Sequence, residues 1–241
     1  MSTTSTPTKT ESSAVRAVST PGKMPTKKHY KETVTILVGA SKQPFVLQKG
    51  LLCFYSDYFR AAFDGSFKEA VERKIELPDV KIDTFEAFQV WLYSQSFRSI
   101  EDLQDSSEAP KLPSSRRLAR LWVFGDKYQI PVLQNGAIDA LLQKNLEERT
   151  FNVDVVNIAY ENTMLGSPLR RYAIDLCVFQ MTHSPREISV FGDVNLGNWS
   201  KEALVDFACC TSNAWEHKLP WATMPDRNKC HYHVHAKGEH C

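Results

Sequence analysis

The feature that most constrains the fold is a run of phenylalanines spaced by four residues. Phe59, Phe63 and Phe67 stand at i, i+4 and i+8 within residues 51–67. Because an α-helix turns once every 3.6 residues, this spacing predicts a helix with all three rings on one face, which must pack against a partner. Ser56 is a suitable N-cap for the second part of this helix, since its hydroxyl can accept an N–H of the first turn.

Short strands are predicted on both sides of this helix. Residues 33–38 (TVTILV) are β-rich and end at Gly39, and residues 44–47 form a second extended run, so the pair predicts a hairpin. A third strand is predicted at residues 72–77, where Ile75 and Leu77 alternate with charged residues before Pro78.

The rest of the chain has mostly helical periodicity. Asp83 is expected to cap a helix whose apolar stripe is Phe85, Phe88, Trp91 and Leu92. Further helices are expected over residues 118–128, from Pro131 onward with a buried side of Leu133, Ala137, Ala140 and Leu141, from about residue 152, from Pro168 after a Ser167 cap, and over residues 201–210. Cys209 and Cys210 are expected to be buried in the last of these helices.

Composition and charge exclude several classes of protein. The 29 Lys and Arg nearly balance the 28 Asp and Glu, so no global positive field attracts nucleic acid, and no apolar run approaches the roughly 20 residues that span a bilayer. The six cysteines are too sparse for a disulfide framework, so we expect an intracellular protein of the nucleus or the cytoplasm.

The N-terminal residues differ in composition from the rest. Residues 1–31 contain six Lys or Arg against one Glu, and residues 1–26 contain twelve Ser or Thr with almost nothing apolar. Because such a segment buries too little surface to offset its chain entropy, residues 1–31 are predicted to be a disordered basic tail. A phosphorylated leader, a weak basic contact arm and an organellar presequence are the functional alternatives.

The middle of the chain resembles a BTB/POZ domain, and is most similar to fungal BTB proteins. The resemblance rests on Ser56-x-x-Phe59-x-x-x-Phe63-x-x-x-Phe67-x-Glu69, on Leu77-Pro78, on the FEAFQVWLY segment, and on GDKYQIP at residues 125–131. It implies an α+β fold in which a small three-stranded sheet is flanked by helices. The domains are then a BTB/POZ domain at 32–146, an all-helical extension at 147–225 and a Cys/His-rich segment at 226–241.

Two positions depart from the family pattern. The family usually has an aspartate near Thr33 and a buried histidine where Gln48 stands, and this chain has neither. The segment before Thr33 also lacks the extra strand and helix that support strand-exchanged dimers. A strand-exchanged homodimer is therefore not assumed, and a homodimer is one alternative for the assembly.

The resemblance also indicates a docking site at Phe67, Lys68 and Glu69. In BTB proteins that recruit a cullin scaffold of ubiquitin ligases, a hydrophobic-x-Glu triplet follows this helix pair, and here it reads Phe67-x-Glu69. An exposed aromatic ring can fill a pocket of the partner while the carboxylate sets the register. The alternative is that Phe67 completes the phenylalanine stripe of the core and that Glu69 is a solvated charge.

The C-terminus offers a candidate metal site. Cys230, His233, His235 and Cys241 are four thiolate and imidazole ligands that suit one structural zinc ion, although their spacing is not that of a zinc finger. His233 and His235 fall on the same side of an extended chain. The alternative is a histidine-rich segment that binds no metal.

The sequence contains no phosphate-binding glycine loop, no Gly-x-Ser-x-Gly elbow and no His-Glu-x-x-His helix, so no enzyme is expected. We interpret the chain as a protein-interaction module of the BTB/POZ type and as a candidate substrate adaptor for a cullin-based ubiquitin ligase. The alternatives are a zinc-stabilised interaction or nucleic-acid-associated regulator and a self-associating scaffold.

Overall fold

The computed structural model describes residues 24–98, 111–148, 152–183, 198–217 and 229–235. A three-stranded sheet has the order β2-β1-β3, with β1 at Thr33–Val38, β2 at Gln43–Gln48 and β3 at Lys74–Leu77. The predicted hairpin is confirmed: β1 and β2 pair antiparallel, whereas β3 joins β1 in parallel. Val34, Ile36 and Val38 are buried on one face of β1, as the period-2 alternation of a strand requires.

The phenylalanine segment and the residues just after it form three short helices. They are α1 at Lys49–Tyr55, α2 at Asp57–Asp64 and α3 at Lys68–Glu72. Ser56 has extended backbone angles, so it ends α1 and caps α2, where its side chain accepts the Phe59 N–H at 3.0 Å. The Ser56 hydroxyl also donates to the Tyr128 carbonyl at 2.6 Å, which ties this helix junction to the core. The predicted cap at Ser56 is confirmed. The prediction that the helix continues to Phe67 is wrong, because α2 ends at Asp64.

Three longer helices follow in the chain. They are α4 at Ile82–Ser94, α5 at Ser115–Lys127 and α6 at Pro131–Glu148. The prediction that Asp83 caps α4 is wrong, because the cap is Lys81, two residues earlier, and Asp83 lies in the first turn. Asp83 pairs with Arg120 at 3.5 Å. Pro131 begins α6 as expected, and the predicted stripes of α4 and α6 are buried: Phe85, Phe88, Trp91, Leu92, Leu133, Ala137, Ala140 and Leu141.

The chain continues with helices α7 at Asp154–Asn162, α8 at Pro168–His183 and α9 at Lys201–His217. The buried Arg170 of α8 connects these helices, because it donates to the carbonyls of Tyr160 and Thr163 and to the Glu202 carboxylate at 2.8 Å. The expected α+β architecture, a small sheet flanked by helices and followed by further helices, is therefore confirmed.

The expected burial of the two adjacent cysteines is wrong. Cys209 is exposed and Cys210 is only half-buried. Ala203, Phe207 and Cys210 stand three to four residues apart, so they share the face of α9 that packs on the core, and Cys209 points away from that face.

The described residues begin within the predicted tail. Residues 1–23 lie outside the described residues, but Lys27–Tyr30 form a 3₁₀ turn that packs on α1. A Cβ at Gly50 would lie 2.5 Å from the His29 backbone, so only glycine permits this close approach. The position where the family has histidine is occupied by Gln48, whose side chain accepts a hydrogen bond from Tyr93. Among the described helices, none combines the length and apolarity needed to cross a membrane.

Candidate protein-docking site

The predicted docking residues lie at the beginning of α3. Phe67 is the N-cap of α3 and its side chain is 63% exposed, whereas Phe59 and Phe63 are 0% and 3% exposed in the core. The alternative in which Phe67 completes the core stripe is therefore wrong. The reason is that α2 ends at Asp64, so two residues with non-helical backbone separate Phe67 from the helix that carries the other two rings.

Gly65 determines where the Phe67 ring lies. A Cβ at Gly65 would be 2.9 Å from a carbon of the Phe67 ring and 2.9 Å from the Ala61 carbonyl oxygen. Both distances are below normal van der Waals contact, so a larger residue would displace the ring from the end of α2. The ring thus rests on the bare backbone of Gly65 while its other side faces solvent.

A second apolar side chain extends this surface. Val71 is 80% exposed, and its N–H donates to the Phe67 carbonyl at 3.3 Å. Phe67 caps α3 and Val71 is its fourth residue, so two exposed apolar side chains lie within one turn of each other, and we call this pair the apolar patch. Val71 was not among the predicted docking residues. We call Phe67, Lys68, Glu69 and Val71 the α3 surface.

The charged residues of the α3 surface lie beside this patch. Lys68 is exposed and pairs with Glu72 at 3.6 Å across one helical turn, a contact of little energetic weight in water. Glu69 is half-buried in the first turn of α3, near Tyr58. Burial, together with the Glu69 charge, raises the pKa of the Tyr58 phenol. Tyr58 itself is partly buried, and its ring meets that of Tyr128 edge-on with centroids 5.1 Å apart.

A cleft of about 300 Å³ opens on the other side of Tyr128, between α5 and α7. Its lining is mixed, with apolar groups such as Val123 and Ile158 beside a Lys127–Asp79 ion pair of 3.5 Å. Burial raises the pKa of the Tyr128 phenol. The carboxylate of the nearby Asp126 accepts a hydrogen bond from the Gln134 side chain at 3.1 Å.

One of the C-terminal candidates contacts a helix directly. His233 Nε2 lies 3.0 Å from a carboxylate oxygen of Asp139 in α6, and the rings of His233 and His235 are 5.9 Å apart. Cys230 is half-buried, and Cys241 lies outside the described residues. In the ranges that the structure covers, no group of three His, Cys, Asp or Glu side chains is arranged to hold a metal ion. The four-ligand zinc site therefore stays a prediction.

The arrangement at α3 is suited to binding a protein. An aromatic ring and a branched aliphatic side chain stand exposed next to a carboxylate, on a short element fixed to the core through α2. Aromatic anchors of this kind dominate the energetics of protein interfaces, and a neighbouring charge adds orientation.

A comparison with known families identifies the type of domain that contains α3. Residues 26–145 match the family model described as the BTB/POZ domain. A search of the curated proteins found no match for the chain. The similarity to fungal members stays a prediction from the sequence.

Proposed function

Since residues 26–145 form a BTB/POZ domain, which is a protein–protein interaction module, we propose that the chain is an intracellular adaptor that docks a cullin-type scaffold of a ubiquitin ligase through the α3 surface. In this proposal Phe67 is the anchor that enters a pocket of the scaffold. Glu69 sets the orientation, and the helices after the domain carry further binding functions. The chain acts by binding and not by catalysis.

The exposure of Phe67 is the observation that carries the proposal. A phenylalanine whose burial would contribute about 1.5–3 kcal/mol stands 63% exposed. Together with the 80% exposed Val71, it forms an apolar patch that gains free energy when a partner covers it. A ring in the core stripe could not contact a partner, so the break between α2 and α3 makes the docking residue accessible.

The carboxylate supplies the second part of the contact. Glu69 is two residues after Phe67 and half-buried beside Tyr58, so its side chain is restrained before a partner arrives. Restraint of this kind lowers the entropic cost of forming a hydrogen bond across the interface. Lys68, between the two, is exposed and is expected to contribute less.

A titration of the purified full-length chain with a purified cullin-type scaffold tests the proposal. We expect binding by the wild type and at least an about 30-fold loss of affinity in the double variant Phe67→Ala and Glu69→Ala, because anchor residues typically contribute 2 kcal/mol or more. Val46→Ala is the matched control: Val46 is also apolar and 61% exposed, but it belongs to β2.

Two outcomes would contradict the proposal. If the wild-type chain binds no cullin-type scaffold, the adaptor function is wrong. If it binds and the double variant binds equally well, the scaffold uses another surface, and the assignment of Phe67 and Glu69 is wrong. Loss of binding in the Val46→Ala control would show that the assay reports folding instead of docking.

A further inference from the structure

The segment that the sequence analysis treated as a metal site is packed as a peptide between two helices. Residues 229–235 begin with a 3₁₀ turn at Lys229–His231 and continue without regular structure across α6 and α8. Asn135 and Asp139 of α6 stand one turn apart on one side of the segment, and Arg171 and Asp175 of α8 stand one turn apart on the other. We call the space between these four residues the α6–α8 groove.

The groove holds the main chain of the segment directly. The Asn135 side chain donates to the Val234 carbonyl at 3.0 Å and accepts the Val234 N–H at 2.7 Å, so one amide satisfies both polar groups of one residue. Arg171 donates to the His231 carbonyl at 3.1 Å. Bonds to the backbone do not depend on the side chains of the peptide, and they are the means by which many domains bind extended segments.

Two side chains of the segment are selected by specific partners. Tyr232 is 1% exposed, its ring meets the edge of Tyr172 with centroids 5.7 Å apart, and its hydroxyl donates to Asp175 at 2.8 Å. His233 pairs with Asp139 at 3.0 Å. The groove therefore selects tyrosine over phenylalanine, because phenylalanine lacks the hydroxyl that donates to the Asp175 carboxylate. It also favours a hydrogen-bond donor at the next position.

We infer that the α6–α8 groove is a peptide-binding site that this chain occupies with its own residues 231–234. Its partner in trans is a protein segment in extended form with the pattern tyrosine, hydrogen-bond donor, branched apolar residue. This is the pattern of Tyr232, His233 and Val234. The inference is independent of scaffold docking, since none of the residues in the groove belongs to the α3 surface.

Occupation by the chain itself weakens binding in trans. A tethered segment competes at an effective concentration in the millimolar range, so a free peptide must exceed it or the internal segment must be weakened. Tyr232→Ala removes the buried ring and its hydroxyl, and it therefore frees the groove while leaving the groove's own residues unchanged. Tyr232→Phe is the milder variant, since it keeps the ring and removes only the bond to Asp175.

The experiment measures binding of a fluorescent peptide with the sequence of residues 229–235, KCHYHVH, to full-length chains by anisotropy. A chelator and a reductant are present, so that neither metal bridges nor disulfides contribute. We expect the Tyr232→Ala chain to bind at least about tenfold more tightly than the wild type, with Tyr232→Phe in between. Asn135→Leu added to Tyr232→Ala removes the two bonds to the Val234 main chain and should abolish binding. A peptide with alanine in place of tyrosine should not bind.

Several results would overturn the inference. The first is that the wild type and both Tyr232 variants bind the peptide equally weakly. The second is that the alanine peptide binds as well as the tyrosine peptide. The third is that the double variant with Asn135→Leu binds as tightly as Tyr232→Ala alone. If Tyr232→Ala does not fold, the comparison of Tyr232→Phe with the wild type decides the question alone. A wild-type dimer that Tyr232→Ala abolishes would also contradict it, because the occupant in trans would then be a second copy of the chain.

Discussion

Truncation of two phenylalanines four residues apart should have very different effects on stability. Phe63 is 3% exposed and packs against Phe59 with ring centroids 6.3 Å apart, so Phe63→Ala should lower the free energy of unfolding by about 3–5 kcal/mol. Phe67 is 63% exposed, which leaves about 37% of the side chain covered. That fraction of the about 1.5–3 kcal/mol for full burial predicts a loss of only about 0.5–1 kcal/mol in Phe67→Ala.

Urea denaturation of the full-length chain, followed by far-UV circular dichroism, measures both values. The slope of the free energy against urea should be the same for both variants and the wild type, so that the midpoint reports stability. A loss of 3 kcal/mol or more in Phe67→Ala would refute the reasoning, because it would mean that the ring is packed in the core. The ring would then lie on the same buried face as Phe59 and Phe63, as the spacing alone predicted.

Two further predictions concern the same core. Ser56→Ala should lower the free energy of unfolding by about 2–3 kcal/mol, because it removes the cap of α2 and leaves the Tyr128 carbonyl without its hydroxyl donor. Urea denaturation measures this loss, and a value below about 0.5 kcal/mol would contradict the observed bonds. Iodoacetamide at pH 8 should modify the exposed Cys209 before Cys53 and Cys177, since burial raises the pKa of Cys53 to about 11 and that of Cys177 to about 12. A rise of the pKa of Cys53 from 9.0 to about 11 lowers its reactive thiolate fraction about 100-fold, so its labelling should increase as the pH rises. Equal labelling rates for Cys209, Cys53 and Cys177 in the folded chain at pH 8 would contradict the prediction.

Local sequence signals predicted most of the secondary structure. The β-rich run before Gly39 and the proline at position 131 identified β1 and the start of α6, because strand alternation and the fixed φ of proline act within a few residues. The order of the sheet, with β3 parallel to β1, was not predictable in this way. It depends on pairing between residues about 40 positions apart, such as Ile36 and Ile75.

The candidate site shows where periodicity is insufficient. Three rings at a spacing of four predict one helical face, but Gly65 and Ser66 interrupt the helix and leave Phe67 outside it. A glycine weakens a helix by about 1 kcal/mol, which is not enough to identify a break from sequence alone. The resemblance to the family pointed to Phe67 as a docking residue, and that role stays a prediction. The structure explains only why the ring is exposed, since α2 ends before it.

The C-terminal segment shows a second limit of local patterns. Its histidines and cysteines indicated a metal site, which stays a prediction, but they did not indicate that Tyr232 and the backbone of Val234 bind to helices. Those contacts join residues about 60 to 100 positions apart, and no local pattern records which helix faces will form a groove.

Affinity purification of the full-length chain from its native cells, with identification of the bound proteins by mass spectrometry, tests the central claim most directly. The account predicts that a cullin-type scaffold accompanies the wild type and the Val46→Ala control, and is lost from the Phe67→Ala and Glu69→Ala double variant. A wild-type chain that is recovered repeatedly without such a scaffold would contradict it.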